Sequence, residues 1–159
     1  MDHKIVYQIY PKSFMDTNHD GEGDLRGIIT KLDYLKDLGV DVLWLTPVFV
    51  SPQNDNGYDV ADYYHVDPRF GTDADLDELI QKARDKDMDI MLDMVFNHSS
   101  TEHKWFQKAL TGDMEYMNRY FFTKEKANWQ SKFGGSAFEY VEDLDLYYLS
   151  LFDKTQADL

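Results

Sequence analysis

Three groups of oxygen and imidazole side chains in this sequence could do chemistry. The first is Asp93, Asn97 and His98, in the stretch Asp93-Met94-Val95-Phe96-Asn97-His98 that follows the apolar run Ile90-Met91-Leu92. An apolar run between polar flanks reads as a strand buried on both faces. Polar residues at the C-terminal end of such a strand sit where α/β barrels and open α/β sheets place their sites. A strand end with chance polar residues would explain Asp93 or His98 taken alone, so the other two groups matter. The second is Asp16-Thr17-Asn18-His19-Asp20-Gly21-Glu22-Gly23-Asp24, with oxygen side chains at positions 1, 3, 5 and 9 and glycines that permit a tight wrap. Hard cations take several oxygens at one centre, and this spacing supplies them. An EF-hand loop would need a bidentate Glu at position 12, where Gly27 stands, and an apolar helix in front, which is missing. The alternative is an acidic surface turn. The third is Asp55-Asn56-Gly57-Tyr58-Asp59, in a loop rich in polar and aromatic residues. An Asp three residues before a Tyr suits a pocket that hydrogen-bonds hydroxyls and stacks a ring. An Asn-Gly turn accounts for Asn56-Gly57 alone.

Composition narrows the class. At 159 residues, 43% hydrophobic and 15% aromatic, the chain can build one ordinary domain with a real core. Eleven Tyr, ten Phe and three Trp are many for this length. Aromatic rings build cores, and they also line sugar sites, where a ring face meets the apolar face of a pyranose. A net charge of −14 argues against nucleic acid and anionic membranes as partners. With no Cys there is no disulfide framework and no thiolate metal site. No 18-residue apolar run is present, and Met1-Asp2-His3-Lys4 leads into a strand-like segment without a signal-peptide core. A cytoplasmic setting is expected.

The elements that must position these groups follow a simple rhythm. Ile5-Val6-Tyr7-Gln8-Ile9-Tyr10 is β-branched and aromatic, a strand that Pro11 stops. Asp24 can cap a helix in which Leu25, Ile28, Ile29, Leu32 and Leu35 recur at 3–4 spacing, ended by Gly39. Val42-Leu43-Trp44-Leu45 is a short buried strand, and Thr46-Pro47 opens a long loop that runs through Tyr63-Tyr64. Thr72 and Asp75 resemble a capping box before a helix carrying Leu76, Leu79, Ile80 and Ala83. The pattern is βαβαβ with right-handed crossovers and a parallel sheet. After His98 the rhythm breaks. Phe138–Val141 and Leu146–Leu149 read as a hairpin around an acidic turn, an excursion out of the α/β layer. The expected division is residues 1–98 and residues 99–159.

Val6-Tyr7-Gln8-Ile9-Tyr10-Pro11, Asp55-Asn56-Gly57-Tyr58-Asp59, Asp93 through His98, and Gln156-Ala157-Asp158-Leu159 resemble, in order and spacing, the start of α-amylase superfamily glycosidases. The nearest resemblance is to the group of oligo-1,6-glucosidases and trehalose-6-phosphate hydrolases. It covers the whole chain. It implies an α/β fold: the N-terminal part, about three βα units, of a (β/α)8 TIM barrel, with an inserted domain B beginning after the third strand and incomplete here. It also implies residue roles. Asp16, Asn18, Asp20 and Asp24, with the carbonyl of Glu22, match the cation loop, for calcium or magnesium. Asp55 matches an acid that binds sugar hydroxyls, Tyr58 an aromatic platform under the glucose, and His98 an imidazole that donates to its 6-hydroxyl. Asp93 matches a buried acid that orients an Arg beside the nucleophile, and Asn97 neighbours it as active-site support. Phe133 matches a domain B aromatic at the pocket rim, and Gln156 lies in a further motif near the pocket.

The family hydrolyses α-glucosides with retention, using an Asp nucleophile, a Glu acid/base and a further Asp, all of which the resemblance places beyond Leu159. The resemblance therefore implies a fragment of a longer enzyme, inactive by itself, whose full-length form is a monomer acting on a small α-glucoside. Ser51-Pro52-Gln53-Asn54-Asp55-Asn56-Gly57 and Ala127 through Gly135 favour trehalose 6-phosphate, which would yield glucose and glucose 6-phosphate, over α-1,6-glucosides. No phosphate clamp of Arg and Lys is recognisable. Two other classes compete. A non-catalytic carbohydrate- or calcium-binding module requires the chain to be naturally this short. A small doubly wound nucleotide-binding domain fits βαβαβ, but Pro11-Lys12-Ser13-Phe14 is not a Gly-rich phosphate turn.

Overall fold

Apolar residues that alternate along short strands need a partner layer, and the helices supply one. The computed structural model describes residues 3–159, so Met1 and Asp2 of the Met1-Asp2-His3-Lys4 start lie outside the described residues. The chain divides into two compact units: residues up to Val50 together with Tyr64–Met94, and Ser51–Tyr63 together with Val95–Leu159. The linear division at residue 98 differs from this, because the loop 51–63 groups with the later residues and not with the strands that flank it in sequence.

The first unit runs β1 (Val6–Ile9), α1 (Pro11–Phe14), α2 (Leu25–Thr30), α3 (Leu32–Asp37), β2 (Val42–Leu45) and β3 (Phe49–Val50). It continues through the latter part of β4 (Asp62–Val66), then α4 (Asp73–Arg84) and β5 (Asp89–Leu92). β1, β2 and β5 form a parallel sheet in the order β1-β2-β5, as the βαβαβ pattern requires. Ile9, Leu43 and Leu45 face a core with Leu25, Ile28, Leu32, Leu35, Leu79 and Ala83. The expectation that the strand before Asp93 is buried on both faces does not hold. Among the described residues β5 pairs with β2 alone, and Met91, in register with Gln8 through Trp44, is 42% exposed.

The caps are those the residue types dictate. Asp24 accepts from the backbone N–H of Gly27 at the start of α2, and Thr72 and Asp75 form a reciprocal capping box on α4. The single helix expected from Leu25 onward is two helices broken at Lys31 (φ −103°, ψ 3°). The β-branched run Ile28-Ile29-Thr30 precedes the break, and the Thr30 hydroxyl donates to the Gly27 carbonyl at 2.7 Å. The apolar phase survives, so Leu32 and Leu35 stay buried. Gly27 is needed because a Cβ there would lie 2.0 Å from the Met15 carbonyl oxygen. Pro11 does stop β1, and it also begins α1, where its missing N–H costs nothing.

The second unit holds β6 (His98–Ser100), α5 (Lys104–Leu110), α6 (Met114–Met117), β7 (Phe122–Thr123), β8 (Phe138–Val141), β9 (Leu146–Leu149) and β10 (Gln156–Asp158). β8 and β9 form the expected hairpin, and β7 adds on the far side of β9, all antiparallel. Asp145 takes the left-handed conformation (φ 50°) in the acidic turn. The aromatic run from Trp105 to Phe122 builds a core: Phe106 meets Tyr120, Phe122 and Tyr148 at ring-centroid distances of 5.1, 6.1 and 4.9 Å.

Candidate functional site

The loop 51–59 is held from inside by one carboxylate. Asp59 is 0% exposed, and its oxygens accept from the Ser51 hydroxyl (2.9 Å), Asn54 N–H (2.9 Å) and Asp55 N–H (3.0 Å). The loop needs this restraint because its backbone is unusual: Gln53, Asn56 and Gly57 all have positive φ, at 64°, 50° and 98°. Non-glycine residues in that region cost about 1–3 kcal/mol and cluster at functional sites. This wrap presents Asp55 and Tyr58.

β6 and β10 pair antiparallel, with Asp158 opposite His98 and Gln156 opposite Ser100. His98 is therefore the first residue of a new strand; β5 ends at Leu92, five residues before Asn97-His98. Five of the expected residues, Asp55, Tyr58, Asn97, His98 and Gln156, take part in two hydrogen-bonded groups here. The Gln156 amide donates from Nε2 to Asp55 Oδ2 at 2.9 Å. The Asn97 amide donates from Nδ2 to Asp158 Oδ1 at 2.8 Å and lies 3.2 Å from His98 Nδ1. His98 Nε2 lies 3.1 Å from the Tyr58 carbonyl. A carbonyl can only accept, so Nε2 carries the proton. The ring is neutral because burial pushes its pKa down; the Tyr58 carbonyl and Asp158, Asp55 and Asp59 act in the opposite direction. Both ring nitrogens are thus engaged. Gln156 is 0% exposed and its Oε1 has no partner, a buried acceptor left unsatisfied at a cost of about 1–3 kcal/mol.

An aromatic chain borders the set. The His98 ring is 5.1 Å from that of Phe152, which is 6.1 Å from that of Phe133. Phe133 is 62% exposed, in a turn anchored by Lys132 N–H on the Leu151 carbonyl and by the Ser131 hydroxyl on the Phe152 carbonyl. The Tyr63 hydroxyl lies 2.8 Å from the carbonyls of both Val95 and His98, which fixes the entry to β6. Tyr63 belongs to β4 and not to the loop expected to run through Tyr63-Tyr64.

Histidine burial predicts a pH dependence. His103, 2% exposed, also has its pKa lowered, chiefly by burial. Both histidines are depressed below the unfolded value near 6.5, so their folded forms are favoured above that pH. As pH falls through 6.5 toward the folded values, the unfolded chain takes protons the folded one refuses. Stability then falls by up to about 1.4 kcal/mol per pH unit for each histidine. The lowered carboxylates Asp16, Asp73, Asp75, Glu78, Asp89 and Asp153 act only in a more acidic window. Melting temperatures at pH 7.5 and 5.5 are expected to differ, the lower pH giving the lower value; equal values would refute the burial account.

Two expected groups lie in the first unit. Asp93 follows β5, its N–H on the Leu45 carbonyl. In the loop 16–24, Asp16 accepts from His19 N–H (2.6 Å) and Gly21 N–H (2.9 Å), and Asp20 from Glu22 N–H (2.8 Å) and the Asn18 amide (2.9 Å). Asp24 is taken by Thr17 and Gly27. The Glu22 carboxylate turns to Lys12 at 3.3 Å, which leaves its carbonyl as the oxygen it can offer the loop. The donor set has the chemistry of a hard-cation site, but among the described residues no three His, Cys, Asp or Glu side chains converge on one point.

The profile of the alpha amylase catalytic domain matches residues 8–159. The chain belongs to this family. Within it, the chain is 55% identical to a trehalose-6-phosphate hydrolase of Bacillus subtilis and 52% identical to an oligo-1,6-glucosidase of Bacillus cereus, covering 98% of this chain and 29% of each relative. The crystal structure of Bacillus licheniformis trehalose-6-phosphate hydrolase superposes with a TM-score of 0.94 at 52% identity, with the same coverage. The chain thus spans 29% of the length of these relatives. The parallel strands β1, β2 and β5 with their helices are the opening βα units of a (β/α)8 barrel of this family. Asp158, Asp59 and Phe152 carry much of the geometry, and the residue pattern did not single them out for it. Asp59, two residues after the Asn56-Gly57 turn, was a usable sign; the contacts of Asp158 and Phe152 left none.

Proposed function

We propose that this chain forms the substrate-holding part of a retaining α-glucosidase acting on small α-glucosides, with trehalose 6-phosphate preferred. The observation that carries the reading is the partly buried set Asp55–Gln156 and Asp158–Asn97–His98–Tyr58, an array of sugar-type donors and acceptors bordered by Phe152 and Phe133. Asp59 and Asp158 have both oxygens engaged within the fold, so they hold the site and do not transfer protons. Retaining hydrolysis needs two carboxyls about 5–5.5 Å apart across the scissile bond. In this reading they lie in the rest of a monomeric, cytoplasmic enzyme, and the isolated 159 residues are inactive. The 55% identity to a trehalose-6-phosphate hydrolase supports the preferred substrate, and the 52% identity to an oligo-1,6-glucosidase supports an α-1,6-glucoside as the second. The test is to assay the full-length gene product on trehalose 6-phosphate and isomaltose. A higher kcat/KM on isomaltose overturns the preference, and hydrolysis of neither overturns the function.

The reading includes a cation, calcium or magnesium, taken by Asp16, Asn18, Asp20, Asp24 and the Glu22 carbonyl. Its role is to hold the turn between β1 and α2. Support comes from the alternating oxygens and from Gly21 at φ 96°, which lets the loop wrap. With calcium at one hundred times its Kd, wild type gains about 2.7 kcal/mol over the chelated protein. Asp20→Ala is expected to lose that gain, with little change in turnover at a temperature where it stays folded. Wild-type melting that ignores both calcium and chelator would refute the metal.

A further inference from the structure

The hydrogen bonds running from Asp158 to Tyr58 have a direction that only one arrangement of protons satisfies. Asp158 is 3% exposed. Its Oδ1 accepts from the Asn97 amide at 2.8 Å and its Oδ2 from the Leu151 N–H at 2.7 Å. Both partners are donors, so the group between them must be an acceptor on each side, which an ionised carboxylate is. The bond to Oδ1 assigns the Asn97 atom as nitrogen. That nitrogen has a second hydrogen, and His98 Nδ1 lies 3.2 Å away. A donor facing Nδ1 requires Nδ1 to be the bare ring nitrogen, and the Tyr58 carbonyl 3.1 Å from Nε2 requires the proton there. The backbone reinforces the alignment: Asp158 faces His98 across the β6–β10 pair, and Leu159 N–H donates to the Asn97 carbonyl at 3.0 Å.

We propose that Asp158 is a positioning residue which, through the Asn97 amide, fixes His98 in the Nε2–H form that donates to substrate. This rests on the reading of His98 as a sugar contact. Without the carboxylate the amide can rotate its oxygen toward the ring, and the Nδ1–H tautomer, which offers no proton at Nε2, becomes accessible. Asp158→Asn is a sharp probe because its amide has one acceptor and one donor end. In either orientation the donor end faces the Asn97 amide nitrogen or the Leu151 N–H, so one of the two bonds is lost.

The experiment uses the full-length enzyme with 15N-labelled histidine. In wild type the His98 ring is expected to show a single tautomer protonated at Nε2; in Asp158→Asn both tautomers appear. On trehalose 6-phosphate, Asp158→Asn is expected to lower kcat/KM about tenfold in the wild-type background, the factor that about 1.4 kcal/mol gives. In a His98→Ala background it is expected to change kcat/KM less than about twofold, as non-additivity within one network predicts. An unchanged tautomer in both Asp158→Asn and Asn97→Ala, or the same tenfold loss when His98 is absent, overturns the inference. An unchanged kcat/KM for His98→Ala alone overturns instead the reading of His98 as a sugar contact, and the ring spectrum still decides what Asp158 does. If Asp158→Asn does not fold, Asn97→Ala, at an exposed position, removes the same bridging amide and is read by the same spectrum.

Discussion

Replacing His98 with alanine in the full-length enzyme lowers kcat/KM by about 10–1,000-fold, the range that losing roughly 1.4–4 kcal/mol of transition-state binding produces. Two effects add. Hydrogen bonds to sugar hydroxyls strengthen as the ring distorts toward the transition state, so a donor at Nε2 is worth more there than in the ground state. The substitution also leaves the half-buried Tyr58 carbonyl without its ring partner, and an unpaired polar group held away from water costs up to about 1–3 kcal/mol. The first effect appears in kcat as well as KM, and the second appears in the melting temperature. Steady-state kinetics with a parallel thermal melt separates them. A folded His98→Ala enzyme with wild-type kcat/KM would show that the imidazole is a core residue with no part in substrate binding.

Asp59→Ala is expected to cost about 3 kcal/mol of stability or more. Hydrogen bonds to a charged group are worth about 1.5–3 kcal/mol each, and three donors lose their acceptor at once. The Asn54 and Asp55 N–H groups belong to a backbone already strained at Gln53 and Asn56, so the loop has no second way to satisfy them in place. It should relax, and with it the placement of Asp55 and Tyr58. The loss is therefore expected in KM as well as in the midpoint of urea unfolding. Asp59→Asn keeps an acceptor at one position only and should fall between the two. A midpoint for Asp59→Ala within about 0.5 kcal/mol of wild type would contradict the account of this carboxylate as the loop's internal anchor.

The residue pattern by itself determined the short-range structure. The Asp24 cap, the Thr72–Asp75 box, the Gly39 stop and the three parallel strands each rest on contacts within a few residues or on the alternation of apolar side chains, and both are written locally. It also placed Asp55, Tyr58, Asn97 and His98 on a list of chemically capable residues, to which the family resemblance added Gln156. It read β5 as buried on both faces, whereas Met91 is 42% exposed in a chain that spans 29% of the length of its relatives. It ran α2 and α3 together, because spacing of buried leucines continues through a break that the β-branched Ile28-Ile29-Thr30 run and the Thr30 hydroxyl favour. Only the tertiary structure decided which polar groups meet. Gln156 reaches Asp55 across 101 residues of sequence and Asp158 reaches Asn97 across 61, through an antiparallel pairing whose register nothing local specifies. Which nitrogen of His98 holds its proton depends on Asp158, acting through Asn97, and on a backbone carbonyl 40 residues away, because a hydrogen-bond network assigns donors and acceptors only when all its members are in place.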